Sequence, residues 1–120
     1  SKNDCVDFSN GKYEIKSIDV NTCGDKGISI GEKSKVFFEK MKILHSNIGV
    51  ASKDGSITKI NDIKIDKTEN CLAAYNKKNE FDGGMINIET LKCTNFNNKL
   101  LVDELSLINI KNSMVEWVID

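Results

Sequence analysis

Apolar residues recur along this chain in apolar-x-apolar pairs, and one short segment contains three of them. The pairs are Ile28/Ile30, Val36/Phe38 and Met41/Ile43. Alternate side chains of a β-strand point to the same face, so each pair predicts a short strand with its apolar side chains on one side. Small or charged residues separate the pairs and predict corners. The segment therefore predicts one turn of a three-sided coil.

The same three pairs repeat along the whole chain, mostly at intervals of 22 residues. The first pair recurs as Val6/Phe8, Ile28/Ile30, Val50/Ser52, Leu72/Ala74 and Leu100/Val102. The second recurs as Tyr13/Ile15, Val36/Phe38, Thr58/Ile60, Ile86/Ile88 and Ile108/Ile110. The third recurs as Ile18/Val20, Met41/Ile43, Ile63/Ile65, Leu91/Cys93 and Ser113/Val115. Each series has one longer interval of 28 residues, and a single six-residue insertion within residues 76–84 accounts for all three.

This repeat predicts an all-β fold, a right-handed parallel β-helix solenoid of about five coils of 22 residues. The strands stack into three parallel sheets with a spacing of about 4.8 Å. Residues 1–120 form a single β-helix domain, with coils near 4–25, 26–48, 49–70, 71–98 and 99–120. One coil buries too little apolar surface to fold alone, so stability must come from stacking. We expect the domain to be a fragment of a larger chain.

A leucine-rich repeat is the main alternative. The segments 15–23 and 60–68 fit the apolar skeleton of that repeat. A leucine-rich repeat, however, has one strand per unit, with a helix or loop behind it. The remainder of the unit here, for example residues 27–30, begins with glycine and has a period of two, which favours three strands per coil.

Two segments resemble a known coil signature. The run from Ile43 to Ser52 resembles the I-x-x-x-N-x-G-V-x-x pattern of right-handed parallel β-helix repeats, and the run from Cys23 to Ile30 resembles it as well. The chain is thus similar to the pectate-lyase-like superfamily over essentially its whole length. The resemblance implies binding of, or action on, polysaccharides at the outer face of the first sheet and its flanking loops.

The chain departs from the catalytic patterns of that superfamily. It contains no arginine, and it lacks the paired aspartates and Gly-His-Gly of polygalacturonases. The outward residues of the first strands offer a single aspartate: they are Asp7, Ser29, Ala51, Ala73 and Leu101. Lyase or polygalacturonase chemistry of the familiar type is therefore disfavoured.

The insertion is the best candidate for a binding site, because loops on rigid scaffolds carry function more often than strands do. It leaves the corner that presents charged residues in the preceding coils, and an aromatic ring beside lysines and carboxylates suits sugar binding. The candidate ligand-binding residues are Glu32, Lys33, Lys53, Asp54, Tyr75, Lys77, Glu80, Phe81 and Asp82. The more common situation is that Phe81 folds back over the core and the charges are solvated turn residues.

These features favour a non-catalytic extracellular or cell-surface module that binds a polysaccharide or acts as a spacer. No catalytic residue, metal or cofactor is predicted. The first alternative is a fragment of a carbohydrate-active enzyme, lyase or epimerase-like, using Asp54, Glu80, Asp82 and a lysine. The second alternative is an end-to-end self-assembling unit or continuation into neighbouring domains, because terminal coils expose unpaired strand edges and residues 114–119 are largely apolar.

Composition and charge limit the classes of partner that the chain is expected to bind. A net charge of −1 gives no indication of nucleic-acid binding, and the absence of an 18-residue apolar run predicts no membrane span. The four cysteines contain no CxxC and there is one histidine, so zinc is poorly supported. The repeat puts the cysteines in different coils or columns, which favours buried free thiols over disulfides.

Two columns of corner residues also lead to predictions about the turns. Small residues precede most first strands, including Gly27 and Gly49, which suggests tight turning there. His45, the only histidine, is predicted to be a solvated corner residue. It falls in a column with Thr22, Lys67, Asn95 and Trp117.

Overall fold

The computed structural model describes residues 3–78 and 80–116, and for Val115 and Glu116 it describes the backbone alone. The described residues form seven strands and no helix. The strands are β1 (Val6–Ser9), β2 (Lys12–Asn21), β3 (Lys26–Gly31), β4 (Lys35–Lys53), β5 (Ile57–Tyr75), β6 (Met85–Val102) and β7 (Leu107–Glu116). The last coil extends beyond residue 116 in the predicted boundaries, and that part lies outside the described residues.

All strand pairs are parallel, and each residue lies over its counterpart in the coil before it. The first column runs through Val6, Ile28, Val50, Leu72 and Leu100, as the repeat predicted. The columns of the second and third pairs are also confirmed. β4, β5 and β6 are long because each continues round the corners from the second face to the first face of the next coil. The structure is therefore a parallel β-solenoid of about five turns, and the leucine-rich-repeat alternative is wrong.

The six-residue insertion lies where the intervals predicted it. β5 ends at Tyr75 and β6 begins at Met85, and the pairing of Ile57 with Met85 shows the 28-residue step. Pairing resumes in the same register after the loop, so Leu72 still lies over Leu100. The insertion is thus accommodated outside the solenoid without disturbing the columns.

The interior is mainly apolar, and one group of its buried polar side chains is a hydroxyl cluster in the third coil. Ser52, Ser56 and Thr58 are fully or almost fully buried. Ser52 Oγ lies 2.6 Å from Ser56 Oγ and accepts a hydrogen bond from Thr58 Oγ1 at 3.2 Å. Ser56 Oγ donates to the carbonyl of Ile30 at 3.2 Å. Because these hydroxyls hydrogen bond to one another and to the backbone, polar residues can occupy inward columns at little cost.

One corner column is left-handed in four successive coils. Thr22, His45, Lys67 and Asn95 have φ values of 57°, 65°, 59° and 51°. His45 is exposed there, which confirms its prediction as a solvated corner residue. Trp117, the fifth member of the predicted column, lies outside the described residues.

The explanation of Gly27 and Gly49 by tight turning is wrong. Among the described glycines only Gly55 has a positive φ, so neither residue turns the chain in a way that requires glycine. A Cβ on Gly27 would instead lie 2.8 Å from Ile43 Cγ2, and one on Gly49 would lie 3.0 Å from Ile65 Cδ1. Glycine suits these two positions because a side chain there would point into the core and meet these isoleucines.

The prediction of free thiols is wrong for two of the four cysteines. Cys5 and Cys23 form a disulfide with a Cα–Cα distance of 5.3 Å and a sequence separation of 18. Cys5 opens the first coil and Cys23 ends it, so one complete turn brings the two together although they lie in different columns. Cys71 and Cys93 are free and buried, as predicted.

Replacing both Cys5 and Cys23 by serine should lower the free energy of unfolding by about 2–4 kcal/mol, because the bond restricts the unfolded chain. Urea unfolding of the variant and the wild type, both without reductant, measures the change. Matching far-ultraviolet circular dichroism spectra would establish that the variant keeps the fold. An unchanged unfolding midpoint would contradict the assigned role of the bond.

Candidate functional site

Residues 76–78 and 80–84, the described part of the segment that contains the insertion, form a loop that lies against the turns of the two preceding coils. Those turns follow the first-face strands and contain Glu32, Lys33 and Asp54, which all have positive φ. Backbone hydrogen bonds tie the stacked turns together, from Lys33 N to Asp54 O at 3.0 Å and from Gly55 N to Gly83 O at 3.0 Å. The loop is therefore one member of a stack of turns, and the turn of residues 103–106 in the next coil lies on its other side.

Asp54 anchors the start of the loop from the coil below. Its side chain is 1% exposed, and Oδ1 accepts hydrogen bonds from the backbone N–H groups of Lys77 at 2.7 Å and Lys78 at 2.9 Å. Hydrogen bonds to a charged acceptor are stronger than those between neutral groups. Asp54 thus acts on the loop backbone rather than on solvent.

Asn76 organises the interior of the loop. Its Nδ2 lies 2.9, 2.7 and 3.0 Å from the carbonyl oxygens of Lys78, Phe81 and Asp82. Its backbone N–H donates to Asp103 Oδ2 in the next coil at 2.7 Å. The hydrogen bond that Ser106 donates to Asp103 lowers the pKa of Asp103, which favours the carboxylate that accepts from Asn76.

The return of the loop fits closely against backbone on both sides. A Cβ added to Gly84 would overlap the backbone of Ser52, and one added to Gly83 would overlap the backbone carbonyl of Leu105. Because backbone atoms cannot move aside as side chains can, only glycine fits at both positions. The loop is therefore held at its start, in its middle and at its end.

The side chains above this frame form two charge contacts with the second coil. Lys78 Nζ forms an ion pair with Glu32. Lys33 Nζ lies 5.6 Å from the centroid of the Phe81 ring, a cation–π geometry. Phe81 is half-buried and is not part of the core cluster, so it neither folds into the core nor projects freely.

The outer face of the first sheet adjoins the loop and is covered by long side chains. Ser29, Ala51 and Ala73 point outward yet are fully buried. Lys53, half-buried, runs along this face: a Cβ on Gly31 would lie 3.3 Å from Lys53 Cε. Ser29 Oγ has no hydrogen-bond partner within the described residues.

Charged groups converge above that face. Burial lowers the pKa of Lys53, and the neighbouring Lys26 and Lys77 lower it further. Burial raises the pKa of Tyr75. Lys26 is paired with Asp25 at 2.8 Å and with Asp4 at 3.7 Å. The combination offers ammonium groups, carboxylates and a phenol within one partly buried surface, which can exchange hydrogen bonds with a polyhydroxyl ligand.

Most of the predicted site residues come together, but not all through their side chains. Contacts join the loop to Glu32, Lys33 and Asp54, and Lys53 and Tyr75 flank it on the first face. The side chains of Lys77, Glu80 and Asp82 are exposed. Sequence reasoning placed Ser29 on the first face and Asn76, Gly83 and Gly84 in the inserted loop, but gave none of them a specific role. It missed the other residues that build the frame and the adjoining surface, which are Asp4, Asp25, Lys26, Asp103 and Ser106. An Asn directly after the last strand residue, and an Asp-x-x-Ser in the equivalent turn of the next coil, were the available signals.

A separate shallow depression lies on the outer face of the second sheet. Asparagines line it, including Asn87, whose Oδ1 accepts a hydrogen bond from Asn109 at 3.0 Å. Lys111 and Glu89 form an ion pair at 3.4 Å beside it. Its lining contains no aromatic ring, so it offers less to a sugar than the loop does.

Comparisons with known proteins found no matching family model, no matching curated protein and no matching solved structure. Within residues 3–78 and 80–116, no three His, Cys, Asp or Glu side chains group as a metal site would require. In the same part of the chain, no helix has the length and apolar character needed to cross a membrane.

Replacing Asp54 by alanine should lower the free energy of unfolding by about 2–4 kcal/mol, because two charge-assisted hydrogen bonds to a buried carboxylate are lost. Urea unfolding gives the magnitude, and hydrogen exchange at the amides of Lys77 and Lys78 reports the loop itself. Asp82→Ala is the matched control, since Asp82 is an exposed carboxylate in the same loop. Equal effects of the two substitutions would argue against the anchoring role.

Proposed function

We propose that this chain is a non-catalytic glycan-binding module of the pectate-lyase-like β-helix type, acting outside the cell or at its surface. The observation that carries the proposal is the insertion itself. It is fixed by Asp54, Asn76 and two glycines, and it holds Phe81 next to Lys33 at the edge of the first sheet. A rigid loop loses little conformational entropy when a ligand binds, which favours a recognition role.

The surface chemistry suits a carbohydrate. Sugars present apolar ring faces that pack on aromatic side chains, and hydroxyl groups that hydrogen bond to carboxylates and amines. Phe81 and Tyr75 supply the rings, while Lys53, Lys77 and Asp82 supply polar groups at the same edge. Acidic glycans would gain further from the lysines.

Binding fits the arrangement better than catalysis does. The enzyme alternative needs Asp54 as an acid or base, but this carboxylate is buried and already accepts two backbone N–H groups. The other two carboxylates of that alternative, Glu80 and Asp82, are exposed. A catalytic carboxylate must be free to reach the proton it transfers.

An extracellular location agrees with the Cys5–Cys23 bond, since disulfides persist mainly in oxidising compartments. The pectate-lyase-like assignment draws on the coil signature at Ile43–Ser52 together with the solenoid fold. Both features are consistent with a surface module.

Phe81→Ala and Tyr75→Ala should each weaken glycan binding about tenfold, which corresponds to about 1.4 kcal/mol. A glycan array screened with the wild type identifies the ligand, and titration calorimetry then measures the variants. Phe37→Ala is the matched control, because Phe37 is a half-buried aromatic on the outer face of the second sheet.

Three outcomes would overturn the proposal in different ways. An array with no bound glycan would leave the role of a spacer. Equal losses from Phe37→Ala and Phe81→Ala would move the site away from the loop. New ultraviolet absorbance on incubation with uronate polymers would reveal lyase turnover and favour the enzyme alternative.

A specific observation favours end-to-end self-association as a second candidate function. The last described coil exposes Leu100, Leu101 and Val102, whose counterparts in the coil before are fully buried. It also exposes the apolar side chains of Leu105, Leu107 and Met114. An unpaired edge of this kind accepts a further parallel coil. The first coil of another copy would place Val6 over Leu100 and continue the apolar column.

Light scattering over a range of concentrations should show growth beyond the monomer, and Leu107→Lys should suppress it by placing a charge at the exposed edge. Ile57→Lys is the matched control, because Ile57 occupies the same column two coils earlier and is 37% exposed. A monodisperse monomer at the highest concentration would remove this second function.

A further inference from the structure

Two cysteines, Cys71 and Cys93, remain outside the Cys5–Cys23 bond, and both belong to the core. Cys71 and Cys93 are both 0% exposed. Thr68 Oγ1 donates a hydrogen bond to the Cys71 sulfur at 3.7 Å, and the neighbouring Cys93 thiol lowers the pKa of the Cys71 thiol. Two thiols that are neighbours inside a packed core need little movement to bond.

The repeat explains why these two side chains meet. In the second coil a Cβ on Gly27 would lie 2.8 Å from Ile43, and in the third coil a Cβ on Gly49 would lie 3.0 Å from Ile65. Cys71 continues the column of these glycines, whereas Cys93 continues the column of the isoleucines.

The residue that opens each coil therefore faces the last inward residue of the third face in the same coil. Where the first position is glycine, the second is a large isoleucine. In the fourth coil two cysteines of intermediate size take both positions. The register of the solenoid therefore places Cys71 opposite Cys93 in the fourth coil.

We propose that Cys71 and Cys93 form a second disulfide bond when the chain folds in an oxidising environment. The bond would close the fourth coil as the Cys5–Cys23 bond closes the first. An environment that oxidises Cys5 and Cys23 also acts on the other pair. The inference is independent of the proposed glycan binding.

The chemistry balances with a small disulfide such as oxidised glutathione as the oxidant. One cysteine thiolate attacks a glutathione sulfur, which forms a mixed disulfide and releases the first glutathione as a thiol. The second cysteine thiolate then attacks the protein sulfur and releases the second glutathione. The protein loses two thiol hydrogens, and one oxidised glutathione becomes two reduced molecules.

Because both sulfurs are buried in the folded chain, their burial determines the stage of folding at which the bond can form. A glutathione molecule cannot reach a fully buried thiol in the folded solenoid, so the mixed disulfide forms before the fourth coil packs. Packing then brings the second thiol into contact and completes the exchange. A chain that folds under reducing conditions would keep both thiols, because the core then protects them from the oxidant.

The test is to refold the full chain with oxidised and reduced glutathione, quench it with acid, denature it and alkylate it with N-ethylmaleimide. Cleavage after lysine leaves the four cysteines in four different peptides, residues 3–12, 17–26, 68–77 and 93–99. The expected result is a 68–77 peptide linked to 93–99, alongside 3–12 linked to 17–26, with the linked forms at least about tenfold over the alkylated ones. N-ethylmaleimide on 68–77 and 93–99, with 3–12 and 17–26 linked, would overturn the proposal.

A third thiol tests whether the fold selects the partner. Ile65→Cys introduces it one coil below Cys93 in the same column, where it faces Gly49 rather than Cys71. Cys71 should still link to Cys93, and the introduced thiol should be alkylated. A predominant link between Cys71 and the introduced thiol would show that proximity in the solenoid does not determine the bond.

Discussion

The structure depends on the parallel stacking of one coil on the next. Each inward residue lies over its counterpart in the preceding coil, in most coils 22 positions earlier, and the backbone between them forms continuous hydrogen bonds. No coil could bury Ile28 or Val50 completely without a neighbour on each side. The position of the loop and the placement of Cys71 opposite Cys93 both follow from this register.

Sequence alone was enough for the columns and for the insertion, because both leave a periodic signal. The sequence alone did not predict which residues of different columns would lie in contact with each other. Cys5 and Cys23 occupy unrelated columns, and only the closure of one complete turn brings them together. The role of Gly49 could not be predicted either, because glycine is needed there to leave room for Ile65 and not to allow a special backbone conformation.

The candidate site shows the same division. The turns containing Glu32 and Asp54 could be placed beside the insertion because stacking fixes their column. Whether a side chain faces the ligand or the backbone could not be predicted, because this depends on distances within the loop. Asp54 was a candidate for ligand contact and instead holds the loop, while Asn76 had no periodic counterpart to identify it.

The anchors of the loop also explain why an insertion is tolerated at this corner. Asp54 comes from the coil below and Asp103 from the coil above, so the loop joins three consecutive coils. The backbone N–H groups that the interrupted turn leaves unpaired are satisfied by carboxylates of these neighbours. The neighbouring coils thus hold the backbone of the loop, and this support places Phe81 beside Lys33.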